Sequence, residues 1–235
     1  MIDIEPATLD DYRALARFHY RGGEPATRNM AGGMLRARID HALAGVLVVS
    51  MPTLNGAWRE LAWPGRYTSG SKREVARRIN AELRCISRVV VDPRFRARGV
   101  ATALVRAYLA EPITPCTEAI AAMGAACPFF ERAGMAAYRP PPSAKDQRFA
   151  DALAHLGIDP TDLIVADQAE ALCERHALLV RELRVWAGSG KTDRAIARAE
   201  PARLAARAAG AAMHPTTRYA HTARTDTNHQ KGIDT

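Results

Sequence analysis

The chain has 235 residues, of which 48% are hydrophobic and 25% charged, a globular balance that excludes a fully disordered or fibrous protein. Lys and Arg number 33 against 25 Asp and Glu, a net charge of +8, and splitting the chain after Pro142 puts 20 of the basic and 13 of the acidic residues before it. No stretch reaches the ~20 apolar residues of a membrane helix, and the acidic opening MIDIEPATLDD lacks a signal peptide's basic start, so no membrane partner is expected.

Ile2 and Ile4 alternate with polar neighbours and predict a short first strand. Thr8, with Asp11 three residues on, predicts a capped helix carrying Leu9, Tyr12, Leu15, Ala16 and His19 at helical spacing and stopping at Gly22-Gly23. A second helix is expected within Asn29–Asp40. The apolar run Gly45–Ser50 reads as a buried central strand. Met51–Ser71 reads as an insertion in which Trp58 and Trp63 pack a long loop onto the core. Lys72–Leu83 predicts a helix with Lys72, Arg73, Arg77 and Arg78 on its outer faces. No aromatic residues interleave them, so a solvated face is expected and nucleic acid is disfavoured as a partner.

Cys85–Asp92 is the clearest strand, ending Val89-Val90-Val91 and closed by Pro93. A basic, glycine-containing turn follows, and the stripe Val100, Ala101, Leu104, Val105, Tyr108 and Leu109 predicts a helix beginning near Gly99. Thr117–Met123, Pro128–Ala133 and Met135–Arg139 predict strand, short helix and strand. Pro140-Pro141-Pro142 sets the expected domain boundary: residues 1–142 form one domain with an insertion at 51–71, residues 143–187 a helical C-terminal extension, and residues 188–235 a weakly structured, mobile tail.

The turn between strand and helix carries the chemistry. The first N–H groups of a helix lack intrahelical partners and sit at the positive end of its dipole, so a turn that gathers them makes a cradle for a pyrophosphate. Gly99 and Ala101 are small where a diphosphate must approach, and Arg94, Arg96 and Arg98 add charge at the same mouth.

Arg96-Ala97-Arg98-Gly99-Val100-Ala101 resembles the acyl-CoA signature of the GNAT N-acetyltransferase superfamily, Arg/Gln-x-x-Gly-x-Gly/Ala, and Cys127-Pro-Phe-Phe-Glu-Arg-Ala-Gly-Met135 resembles the family's second signature. The resemblance covers residues 1–142. It implies a mixed-sheet α/β fold whose central strands splay apart, and acetyl-CoA as acyl donor without a metal. The pantetheine arm would bond to main-chain groups from Val89 to Val91. The pyrophosphate would sit on the amides of Arg96, Ala97, Arg98, Gly99, Val100 and Ala101, with Thr102 in the first helical turn. The acceptor would be a primary amine of a small molecule or protein.

Two departures stand out. Many members carry a tyrosine acid in the second signature where this chain has Phe129-Phe130, and an asparagine six residues earlier where it has Met123. Cys127 and Tyr138 are the nearest replacement donors. Unassisted departure of the thiolate is the alternative. For the base, Glu118 on the next strand is the leading carboxylate, with Ser87 and Cys85 on the strand before the signature and Glu24 and Glu60 as lesser candidates. Two rival readings stand beside the enzyme: an acyl-CoA-binding regulator without turnover, and a nucleic-acid-associated modifier.

Gly188-Ser-Gly-Lys-Thr192 imitates the end of a phosphate-binding loop, but Val185 stands where that loop needs a glycine. The seven histidines show no metal spacing. Cys85, Cys116, Cys127 and Cys173 form no Cys-x-x-Cys pair and read as reduced thiols of a cytoplasmic protein, for which a homodimer is compatible.

Overall fold

The computed structural model describes residues 1–19, 33–188, 200–213 and 216–223. These form two units, residues 1–138 with 217 onward, and residues 139–216.

The first unit is built on a seven-stranded mixed sheet of order β1-β2-β3-β4-β5-β7-β6. Its strands are β1 (Asp3–Pro6), β2 (Met34–Ile39), β3 (Ala42–Ser50), β4 (Leu83–Val91), β5 (Cys116–Ala121), β6 (Ala136–Tyr138) and β7 (Thr217–Thr222). Helix α1 (Leu9–Ala16) starts at a capping box in which Thr8 and Asp11 satisfy each other's amides, as the sequence predicts.

The helix expected within 29–40 is a strand where it is described. Leu35, Ala37 and Ile39 alternate with Arg36 and Arg38, a period of two that lays the apolar side on the sheet. Arg36 then pairs across to Glu5 and Asp11 at 3.0 Å each. Asp40 and His41, with φ of 49° and 65°, turn β2 directly into β3.

The insertion at 51–71 is not an open loop. It carries α2 (Arg59–Ala62) and buries Trp63 and Tyr67 against Ile79 of α3 (Lys72–Glu82) and Leu83 of β4. The rings of Trp58 and Trp63 lie 6.1 Å apart, the packing expected of them. Helix α4 (Val100–Ala110) covers the opposite face of the sheet, where Leu104 and Val105 meet Leu47, Val49, Ile86 and Ala119. Short α5 (Phe129–Arg132) packs on the same side through Phe130.

The second unit holds α6 (Ala144–Leu156), α7 (Ala166–Arg175), α8 (Ala177–Gly188) and α9 (Pro201–Met213) around Phe149, Leu153, Leu179, Leu183, Trp186 and Leu204. Two expectations are corrected here. Residues 188–235 are not a uniformly weak tail, because 201–213 is a helix with a buried alanine-leucine face and 217–222 is an interior strand. The boundary also falls at Tyr138/Arg139 rather than Pro142, and the helical unit is an insertion rather than a C-terminal extension. The reason is pairing: β7 lies between β5 and β6, bonded to both, so the chain must return to the sheet after the helices.

Candidate functional site

Strands β4 and β5 run parallel but pair only from Leu83↔Cys116 to Ile86↔Ala119. Beyond that point β4 continues to Val91 along β3 and β5 continues to Ala121 along β7, so the two strands part. A register shift against β3 places Ile86 opposite Val49 but Arg88 opposite Val48, making Ser87 the extra residue of a bulge at the parting. Such bulges re-aim strand groups at functional edges. The parting opens a cleft of about 1040 Å³.

At its mouth the loop after β4 bends sharply. Ala97 has φ of 61° and Gly99 a φ of 81°, both left-handed. A non-glycine residue there is uncommon and marks a loop held in a particular shape. Two left-handed residues in four turn successive amides to one side, the arrangement of an anion-binding nest. Gly99 caps α4 without a side chain. Arg96 gives its amide to Pro93 and Ala103 gives its amide to Gly99. Among the described residues the amides of Ala97 to Thr102 between them have no hydrogen-bond partner. A Cβ built on Gly99 meets nothing within 4 Å, so the space in front of the helix is open.

Of the cofactor residues predicted from sequence, Val89, Val91, Arg96, Ala97, Gly99, Val100, Ala101 and Thr102 all line this cleft. Arg98 does not; its guanidinium lies over the Phe95 ring at 5.6 Å. Arg94 is engaged with Asp92 at 2.8 Å, and its guanidinium holds the Asp92 carboxyl below the usual carboxylate range. Sequence reasoning missed Arg106 and Arg132, which also line the cleft, the first giving an N–H to the carbonyl of the second at 2.6 Å. Arg106 stands one turn beyond Thr102 on α4, a signal that the helical period carries.

The proton-transfer candidates separate. Ser87 and the exposed Cys127 reach the cleft. The Oγ of Ser87 lies 2.7 Å from that of Ser50 and 3.3 Å from the Val48 carbonyl. Glu118, the leading base candidate, does not line the cleft. It is 1% exposed, and both its oxygens accept from Arg59, Nε and Nη2 each at 2.8 Å. Arg59 also donates to the carbonyls of Thr53 and Leu54, so Glu118 anchors the insertion to the sheet. A side chain on Gly56 would strike that guanidinium at 2.8 Å. Nothing in the local sequence signals a pair 59 residues apart.

Glu60 is likewise structural, accepting from the Gly65 amide at 3.1 Å and from the Thr68 hydroxyl. Glu24 and Ser189–Thr192 of the loop-like motif lie outside the described residues. Tyr138 lies off the cleft with its ring 6.3 Å from that of Trp58. Phe130 packs on Tyr219 at 4.9 Å, and the buried Tyr219 hydroxyl donates to the Gly124 carbonyl. No Asp or Glu is among the described residues lining the cleft, and no group of three or more metal-ligating side chains occurs among the described residues.

No family model and no curated protein matches the chain. Among solved structures it is similar to Ard1 from Thermoplasma volcanium, at 16% identity over 59% of this chain and 86% of that one, with a TM-score of 0.39. It is also similar to the ribosomal-protein-S18-alanine N-acetyltransferase from Escherichia coli, at 12% identity over 61% and 86%, TM-score 0.39. A third likeness is to Arabidopsis thaliana NAA60 in complex with acetyl-CoA, at 18% identity over 58% and 87%, TM-score 0.40.

Proposed function

We propose that this protein is an acyl-CoA-dependent N-acyltransferase that moves an acetyl group from acetyl-CoA to a primary amine. The observation that carries the reading is the row of unbonded amides from Ala97 to Thr102 at the mouth of a cleft that continues along the unpaired edge of β4. Amides at a helix start suit a diphosphate. The main-chain groups of Val89 and Val91 on the side facing β5 have lost their strand partner, and they suit the amides of a pantetheine arm. Arg96, Arg106 and Arg132 supply cations for the remaining phosphate charge.

The thioester would then lie in the parting near the Ser87 bulge. The amine nitrogen attacks the thioester carbonyl, the C–N bond forms, the C–S bond breaks and the electron pair leaves on sulfur. Much of the rate in such a reaction comes from holding the two reactants in line. The ammonium must first lose a proton, and His19, Ser87 and Cys127, which line the cleft, would pass it on. A thiol with an ordinary pKa near ~8.5 leaves as thiolate without a strong acid, which suits a site with Phe130 where a tyrosine would stand. Four cysteines without a Cys-x-x-Cys pair suit a cytoplasmic setting.

A second reading, an acyl-CoA-binding protein without turnover, is favoured by the lack of a carboxylate among the described cleft residues. One experiment separates the two. Calorimetric titration with CoA tests the cradle, and thiol release from acetyl-CoA across a panel of primary amines tests turnover. Binding with release supports the transferase, binding without release across the panel supports the second reading, and no binding overturns both.

A further inference from the structure

The cleft-lining arginines fall into two groups. Arg96, Arg106 and Arg132 belong to the α4 loop, α4 and α5, on the sheet face that carries the diphosphate cradle. Arg88 does not. It stands opposite Val48, and Val48 and Val90 pack with Tyr12 and Leu15 of α1 on the other face. Arg88 therefore enters the cleft beside the Ser87 bulge, from the side opposite the helix that holds the phosphates.

Its hydrogen bonds are incomplete in an informative way. Nη1 donates to the Ser87 carbonyl at 2.8 Å, while Nε is buried and has no partner among the described residues. The vacant edge is the Nε/Nη2 fork. Other arginines of this chain use that same edge to grip both oxygens of a carboxylate, among them Arg59 on Glu118, at 2.8 and 2.8 Å, Arg94 on Asp92, at 3.1 and 2.8 Å, and Arg148 on Glu182, at 2.6 and 3.0 Å. Among the described residues that line the cleft, no Asp or Glu stands as a counter-ion to Arg88. A buried guanidinium donor left unpaired is costly, and a bidentate carboxylate is its natural partner.

We infer that Arg88 is a specificity residue that receives a carboxylate of the reacting molecules. This rests on the transferase reading and deepens it by naming a substrate class. The carboxylate has two available sources, the amine acceptor (an amino-acid-like acid) or the acyl group (a dicarboxylic half-thioester in place of acetyl).

The test uses the full chain and equilibrium binding, so it does not depend on turnover. In the first arm, protein saturated with CoA is titrated with 4-acetamidobutyrate and with its neutral amide, which differ only in the carboxylate. In the second, succinyl-CoA is compared with acetyl-CoA. In one arm the charged ligand is expected to bind at least about tenfold more tightly than its neutral counterpart, the scale of one charge-assisted pair. Arg88→Gln should bring the two to near equality, and Arg88→Lys, which keeps the charge without the fork, should restore only part of the preference.

Preference in the first arm assigns the carboxylate to the acceptor, and preference in the second assigns it to the acyl group. Equal binding of charged and neutral ligands in both arms overturns the inference, as does a preference that survives in Arg88→Gln. If Arg88→Gln does not fold, the wild-type comparison and Arg88→Lys decide. Failure to bind CoA at all overturns the transferase reading and this one with it, whereas CoA binding without discrimination overturns only this one.

Discussion

Gly99 and Glu118 show how differently two site residues can be read from sequence. The strand–turn–helix pattern puts Gly99 at the start of α4, and its left-handed φ of 81° explains why glycine stands there. Because a Cβ would meet nothing within 4 Å, Gly99→Ala should cost roughly 1–2 kcal/mol of stability through backbone strain alone and keep CoA binding. Gly99→Glu should show the same modest loss in thermal unfolding, yet calorimetry should detect no CoA binding, since a carboxylate then occupies the cradle. Unaltered affinity in that variant would remove the diphosphate assignment. Glu118 was legible as a strand carboxylate but not as the partner of Arg59, because that contact exists only once the insertion has folded onto the sheet. Arg59→Ala leaves a buried charge unpaired and should cost about 3–5 kcal/mol in denaturant unfolding, whereas Arg59→Met with Glu118→Leu should recover most of it. If Glu118→Gln instead abolished turnover with stability intact, the carboxylate would be catalytic rather than an anchor.

At the scale of elements, local signals are legible in the sequence and strand pairing is not. The N-cap of α1 and the apolar stripe of α4 follow from residues a few positions apart, and both helices start where expected, although α1 ends at Ala16, short of the expected stop at Gly22-Gly23. In β2, Met34, Leu35 and Ala37 stand at mixed spacings that suit a helix as well as a strand. What fixes the strand is the ladder to β1 and β3, with Arg36 bonded to Glu5. Within the helical unit, α6 and α8 are tied by Arg148 and the 5%-exposed Glu182. The Arg148 hydrogen bond holds the Glu182 carboxyl below its ordinary value of 4.5, against the opposing effect of burial. A carboxyl depressed in the fold contributes stability that is whole above the unfolded value and fades as pH falls below about 4.5. Arg148→Gln should therefore lower the melting temperature at pH 7 and flatten its decline as pH falls below about 4.5, as followed by circular dichroism. An identical acid profile in variant and parent would show that the pair contributes nothing.

Across the whole molecule, what composition hid was the order in which the sheet is completed. Thr217–Thr222 carries His and Thr and lies among residues that look like a tail, yet it occupies an interior position between β5 and β6. An interior strand cannot be dispensed with, because both neighbours lose their ladders. The helical unit has its own core, and its chain leaves and re-enters the sheet at adjacent places, since Tyr138 pairs with Arg218. These facts make opposite predictions for two deletions. Ending the chain after Met213 removes β7 and should leave the sheet unit unfolded, with no CoA binding. Replacing residues 140–216 by Asn-Gly sets Arg139 opposite Thr217 across a two-residue turn, the connection suited to an antiparallel pair. That shorter protein should unfold in one cooperative transition and bind CoA with the affinity of the full chain, because every residue assigned to the cradle lies in the first unit. Residues 139–216 alone should be helical by circular dichroism and melt cooperatively around the Phe149, Leu183 and Leu204 core. Loss of CoA binding in the excised protein, with its sheet still folded, would mean that the helical insertion completes the cofactor site.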